Sequence, residues 1–182
     1  MSAVTEKLVY DYTMEALLRV LGQPLTAEHL TGLRALGVDP RQLQPAYPVE
    51  KYTEVLNFIV AELWPRLPRE EAGFELGRAF MRAYQQTAMG KAVAAVTRVI
   101  GPHRSLERMS RNFRSANNFT ETTLRKVGPS HYELGFNHAR HPNFYRGLLT
   151  EALTRTGARE VSVTLLTQGE ADEATFHITW RP

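Results

Sequence analysis

The amino-acid sequence predicts an α+β protein: a helical N-terminal half, 1–118, packed on a C-terminal half, 119–182, that carries a four-stranded antiparallel sheet with one inserted helix (β-β-α-β-β). Three observations predict it. Apolar residues recur at helical spacing as far as residue 118, they alternate with period two afterwards, and a single helical run, "NFYRGLLTEALTRTGA", separates two pairs of alternating segments. Helices first and an interrupted antiparallel sheet second is the pattern of segregated α+β architecture. At 182 residues the chain is long enough to bury a sizeable core and short enough to form one domain, 1–182.

The elements follow in order. "KLVYDYTMEALLRVLG" begins as an extended lead and becomes a helix on Met14, Leu17, Leu18 and Leu21, with Gly22 as its C-terminal cap. "TAEHLTGLRALGV" is a short helix capped by Thr26, and "DPRQLQPAYP" is a proline-rich connection. A third helix follows Pro48 on Tyr52, Val55, Leu56, Ile59, Val60 and Leu63 and stops at "WPRLP". From Arg69 to about Thr87 the residues Phe74, Leu76, Phe80, Met81 and Tyr84 define a fourth, in which Gly73 and Gly77 allow a neighbour to approach closely. "GKAVAAVTRVIG" is a small-residue helix expected to be buried or half-buried. The basic stretch "HRSLERMSRNFRSA" follows as another helix or helical turn. "TETTLRKV" and "HYELGFN" form a hairpin turned by Gly128 and Pro129. Asn143 is the expected N-cap of the inserted helix, and "EVSVTLLTQ" and "ATFHITW" form the last hairpin across the acidic turn "GEADE".

Composition removes whole classes of function. With no cysteine, disulfides, thiolate metal sites and cysteine nucleophiles are excluded. The start "MSAVTEKLVYDY" lacks the basic-then-apolar pattern of a signal peptide, and "VLNFIVAELW" is far short of the roughly 20 apolar residues of a membrane span, so a cytoplasmic protein is expected. The net charge is +3. Arg98, Arg104, Arg108, Arg111, Arg114, Arg125 and Lys126 face only Glu107 and Glu121 in their segment, leaving 15 basic and 17 acidic residues elsewhere, so the excess is local.

That segment supplies one candidate site. Arg104, Arg108 and Arg111 fall at i, i+4 and i+7 with Arg114 extending the stripe, while Leu106, Met109 and Phe113 occupy the other face. A solvated basic face is the plain reading; as a binding surface it suits an acidic protein partner or an anionic head group, because guanidinium forks match carboxylates and phosphates. No helix-turn-helix or aromatic RNA-binding motif accompanies it, which ranks nucleic acid below a protein partner. A second candidate is an apolar ligand pocket at the helix–sheet junction, lined by Tyr84, Phe113, Phe119, Tyr132 and Phe144, where a hydrophobic or amphipathic small molecule would lie; Asn117 and Asn118 could orient it, or serve as turn residues. His138 and His141, with His131 and His177, have no helix-face spacing and no adjacent carboxylate, so no metal is assigned. "TAMGKAV" lacks the flanking residues of a phosphate loop, the serines have no nucleophile elbow, and Glu70 and Glu71 suit a helix N-terminus; no catalytic residue is assigned.

The succession "PAYP", "WPRLPREEAGFELGRAFMRAYQQTAMGKAV", "IGPHRSLERMSRNFRSANNFTET" and "FHITW" resembles a paralogous family of uncharacterised myxobacterial proteins over nearly the whole chain. More remotely, the order of the C-terminal half is similar to the superfamily that unites haem–nitric-oxide sensor domains, 4-vinyl-reductase-type sensors and Golgi transport subunits. That resemblance implies a pocket between helices and sheet and a non-enzymatic sensor or adaptor that binds a small molecule and signals to a protein partner. The alternative is a ligand-free interaction module, or a homodimer formed through exposed apolar helix surface. Haem sensors of that superfamily use an axial histidine on a helix and a Tyr-x-Ser-x-Arg cluster for the propionates. His103 stands in the corresponding order but no Tyr-x-Ser-x-Arg occurs, so the expectation is no cofactor, haem included.

Overall fold

The computed structural model describes residues 6–170 and 172–181; the first five residues, and residue 171 of the expected "GEADE" turn, lie outside the described residues. The N-terminal half runs β1 (Leu8–Tyr10), α1 (Asp11–Arg19), α2 (Ala27–Ala35), β2 (Ala46–Pro48), α3 (Val49–Leu63), α4 (Arg69–Tyr84), α5 (Ala88–Glu107) and α6 (Met109–Ala116). The C-terminal half adds β3 (Thr122–Gly128), β4 (His131–Phe136), α7 (Pro142–Arg155), β5 (Arg159–Gln168) and β6 (Ala174–Arg181). The sheet is four-stranded and antiparallel, as the sequence pattern predicts, and its strand order is β3-β4-β6-β5. The extended lead is also a strand: β1 pairs with β2, a strand hidden in the proline-rich connection, and Val9 bridges to Asn117.

Alternation sets the sheet's two faces. Tyr132, Leu134 and Phe136 of β4 and Phe176, Ile178 and Trp180 of β6 are buried on the helix side, together with Leu149 and Leu153 of α7. Burying one such aromatic or aliphatic side chain stabilises the fold by about 1.5–3 kcal/mol before entropy is counted. The residues between them, His131, Glu133, Thr175, His177 and Thr179, form the half-open outer face.

α4 and α7 meet without a cushion of side chains. A Cβ placed on Gly77 would collide with the backbone carbonyl of Phe144, and one on Gly147 with that of Phe74. Gly77 therefore acts as its spacing predicts, and Gly147 is its unpredicted counterpart. Beside this contact Glu151, 8% exposed, receives Arg78 at 3.4 Å, Arg82 at 3.2 Å and Arg155 at 2.9 Å.

Three expectations need correction. Asn143 is not the N-cap of α7: His141 holds that position, Pro142 follows it, and Asn143 instead accepts a hydrogen bond from Arg146 at 2.8 Å. The small-residue helix is half-buried along one edge at most, since Val96 is 46% and Val99 86% exposed on α5. Only one edge of it, Val93, Ala94 and Thr97, turns inward, toward Met109 of α6 and Leu153 of α7. The basic stretch is not one straight helix either. Gly101, at φ 74°, ψ −179°, kinks α5, and Arg108 at φ −93°, ψ 2° breaks the chain between α5 and α6.

Candidate ligand site at the helix–sheet seam

The site is built where α4, α6 and α7 converge. Phe80 and Tyr84 come from the last turns of α4, Met109 and Phe113 from α6, and Leu148 and Leu153 from α7; around them lies an apolar cavity of about 90 Å³. Phe80, Phe113 and Leu148 also form one wall of a second cavity of about 80 Å³, which continues past Phe144 and Tyr145 to Tyr52, Phe119 and His138. The rings of Phe80 and Phe113 thus partition one seam. Phe80 lies against Phe144 at 5.3 Å between centroids and Phe113 against Phe136 at 5.2 Å, geometries in which a ring edge meets or tilts toward its neighbour's face. Burial pushes the Tyr84 and Tyr145 hydroxyls up to about 12, so both remain neutral donors near pH 7.

Beyond the second cavity the seam opens into a groove of about 500 Å³ of mixed lining, in which Arg69, Arg140 and His141 stand together with Asn57, Glu70 and Gln168. His141 Nε2 is buried and has no hydrogen-bond partner. Burial, then the charges of Arg69 and Arg140, hold its imidazole below the ordinary histidine range. His138 is lowered as well, by burial and by Lys7, whose Nζ lies 3.3 Å from His138 Nδ1. Two neutral imidazoles and two guanidinium groups therefore stand at the mouth of an apolar seam, a set that recognises an anionic head group attached to an apolar body.

Four of the five aromatics expected at a pocket meet at this seam: Tyr84 on the first cavity, Phe113 on both, and Phe119 and Phe144 on the second. Tyr132 does not. Its ring stacks on Trp180, 5.4 Å away with planes 5° apart, and its hydroxyl lies 2.7 Å from His103 Nδ1. Asn117 and Asn118 prove to be turn and strand-edge residues. Asn117 Oδ1 accepts from Phe119 and Thr120 backbone amides at 3.1 and 2.7 Å, and Asn118 Oδ1 accepts from Leu8 at 2.8 Å. Arg104, Arg108, Arg111 and Arg114 are all exposed and none lines the seam cavities, so the arginines at the ligand mouth are Arg69 and Arg140, which no local sequence pattern singles out. Arg108 and Arg111 instead rim a separate surface groove of about 280 Å³ floored by Ala92, Val93, Val96 and Ile100.

The four histidines do not converge. His138 and His141 belong to the seam, while His131 and His177 meet on the outer face of the sheet. Among the described residues no three His, Asp or Glu side chains gather as a metal centre, and no helix is long and apolar enough to cross a membrane.

No curated protein matches the chain. Solved structures do. An oxygen-binding H-NOX domain related to soluble guanylate cyclases, in its oxygen complex, aligns with a TM-score of 0.68 and 16% identity over 93% of this chain and 92% of its own. A structure described for haem redox potential and protein-induced porphyrin distortion aligns at 0.68 and 14% over 93% of both chains. The Fe(II) unliganded H-NOX protein from K. algicida aligns at 0.59 and 12% over 94% and 95%. At such identities the likeness is one of fold, and it is the likeness to haem–nitric-oxide sensors that the C-terminal pattern implies.

The expectation of no cofactor, with haem ruled against, does not stand. The solved domains that share this fold over more than nine-tenths of the chain include haem proteins, so haem is the cofactor to which the comparison points. No Tyr-x-Ser-x-Arg cluster occurs in the chain, whereas imidazole and guanidinium groups from separated segments gather at the seam. His103 Nδ1 is engaged by Tyr132, and its ring packs edge-on against Trp180 at 5.0 Å. The groups on the seam that would hold haem are the half-buried His141, whose Nε2 is buried without a hydrogen-bond partner, and, for its carboxylates, Arg69 and Arg140. The space is divided: cavities of about 90 and 80 Å³ fall below the roughly 300 Å³ of a small-molecule site until Phe80 and Phe113 move. Residues 7–181 match the family described as "Protein of unknown function (DUF2378)", and the chain belongs to that family.

Proposed function

We propose that the chain is a ligand-binding sensor domain whose ligand lies in the seam between α4, α6 and α7, with haem as the first candidate occupant. The observation that carries the reading is the partitioned apolar seam ending at Arg69, Arg140 and His141. In it the aromatic walls exclude water, the arginines hold carboxylates, and His141 offers a neutral nitrogen to a metal. Haem, when bound, would supply an iron able to bind a diatomic gas. The protein's own part is to hold the group and to register its arrival through displacement of Phe80 and Phe113, on helices that continue to the surface.

Haem reconstitution of the purified chain tests this. A Soret band that is lost or shifted in His141→Ala, and strengthened in Phe113→Ala, is the expected result. If neither haem nor any other small molecule co-purifies or raises the melting temperature, the sensor reading fails.

The signalling surface is the groove between α5 and α6. Its apolar floor and its rim of Arg108 and Arg111, for which no ion pair occurs among the described residues, suit an acidic amphipathic helix of a protein partner. Charge reversal at Arg104, Arg108 and Arg111 should abolish capture of that partner with the melting temperature unchanged. Retained capture removes the groove from the proposal, and loss of self-association instead identifies a homodimer.

A further inference from the structure

Outside the seam, the outer face of the sheet carries a pair of histidines whose geometry the fold does not explain. His131 opens β4 and His177 lies on the neighbouring β6, where the register sets Glu133 opposite His177 and Thr179 opposite His131. The two imidazoles are therefore diagonal neighbours on the same face. Their rings stand perpendicular, at 85°, with centroids 4.4 Å apart, and Nε2 of each is directed at Nε2 of the other. Both residues are half-buried, with the solvent-facing side of the sheet as their approach.

Two imidazole nitrogens can share this space in only two favourable ways. One N–H donates to the other's lone pair, or both lone pairs point at a common cation; two N–H groups or two bare lone pairs repel. We propose that His131 and His177 form a bis-imidazole site for a borderline divalent transition metal, Cu²⁺, Ni²⁺ or Zn²⁺, in place of the shared proton. A small parting of the rings gives each nitrogen the roughly 2.0–2.1 Å it needs to the metal. The pair lies side by side on adjacent strands of a hydrogen-bonded sheet, so the two ligands are brought together before the metal arrives.

Glu133 decides the rest of the coordination. It occupies the same face, two residues from His131 and directly across from His177, but Arg125 holds its carboxylate by Nε to Oε2 at 2.9 Å and Nη2 to Oε1 at 2.5 Å. The carboxylate is thereby kept out of the first coordination sphere and left as an acceptor for metal-bound water. Two imidazoles plus water is consistent with the absence of any three-residue cluster among the described residues. The site is on the opposite face of the sheet from the seam and needs neither haem nor the sensor reading.

Titration of the haem-free chain with NiCl₂ and with CuCl₂, followed by calorimetry and by the nitrogen hyperfine pattern of Cu²⁺, tests the proposal. One equivalent per chain with two coordinated imidazole nitrogens is expected, and affinity should fall at least tenfold in His131→Gln and equally in His177→Gln, while His138→Gln and His141→Gln retain it. Glutamine keeps a polar surface residue in both strands, and unchanged melting temperatures show that the fold persists. Should either variant unfold, diethyl pyrocarbonate protection of His131 and His177 by Ni²⁺ in the unaltered chain serves as the readout. No binding, or binding that survives both substitutions, overturns the site.

Discussion

The hydroxyl of Tyr132 lies 2.7 Å from Nδ1 of His103, fastening the C-terminal part of α5 to the second strand of the sheet. The contact joins a buried strand residue to a helix whose first three turns are largely exposed. Tyr132→Phe keeps the stack on Trp180 and removes only the hydrogen bond. It should lower stability by about 1 kcal/mol, or roughly 2–4 °C in melting temperature for a chain of this size. Hydrogen exchange in α5 should quicken more than in α4 or α7; uniform exchange would show that the bond does not anchor the helix.

Phe113 is the divider of the seam. Phe113→Ala should destabilise the fold by about 3–5 kcal/mol, since the ring touches Phe136 and Tyr145 and leaves a void when removed. The same substitution joins the two cavities, so apolar probes that do not stabilise the unaltered chain should raise the melting temperature of the variant. Loss of stability without any such rescue would mean that the seam collapses rather than opens.

Gly77→Ala puts a methyl group against the carbonyl of Phe144, and backbone on both sides cannot rotate away. Chemical denaturation should show a loss of about 1–3 kcal/mol or more, where an alanine in an exposed helix position would be neutral or stabilising.

Glu151→Gln leaves Arg78, Arg82 and Arg155 around a neutral amide. The carboxylate is buried, but each arginine side chain is 40% exposed and screened by water, which holds the expected loss to about 1–2 kcal/mol. The difference from the unaltered chain should shrink as salt is raised in the denaturation experiment.

His138 and His141 set the response to acid. Both folded-state values are depressed below 6.5. Between that value and the lower folded ones the unfolded chain binds more protons, so stability must fall as pH drops from above 6.5 through the folded values, and must level off above it. His141→Phe should flatten the slope of melting temperature against pH over that interval. An unchanged slope would remove His141 as a contributor.

Much of the architecture is legible in the sequence because it follows from periodicity. Leu106, Met109 and Phe113 are buried as their spacing demands, and both hairpins pair as alternation and turn residues specify. What periodicity cannot show is length of reach. The apolar valines of α5 read as buried or half-buried, yet only Val93 turns toward the seam and Val99 is left 86% exposed. The seam was half visible: Tyr84, Phe113, Phe119 and Phe144 carry the aromatic signal, while Phe80 reads as ordinary helix face. Arg69 at a helix start and Arg140 and His141 just before another helix lie 71 and 72 residues apart in sequence, so only the chain's three-dimensional course unites them. Tyr132 failed as a pocket residue because alternation gives the face of a strand but not which part of that face a helix covers.

The glycine contact between α4 and α7 has a mechanical meaning. Side chains between helices act as springs that absorb small shifts by changing rotamer, and here Gly77 and Gly147 leave none. α4 and α7 are thus coupled as a single rigid unit, with Phe80 and Tyr84 on the seam at the same end from which the chain continues into β5. A push on either ring is carried by backbone against backbone, and the edge strand of the sheet is where it must come out.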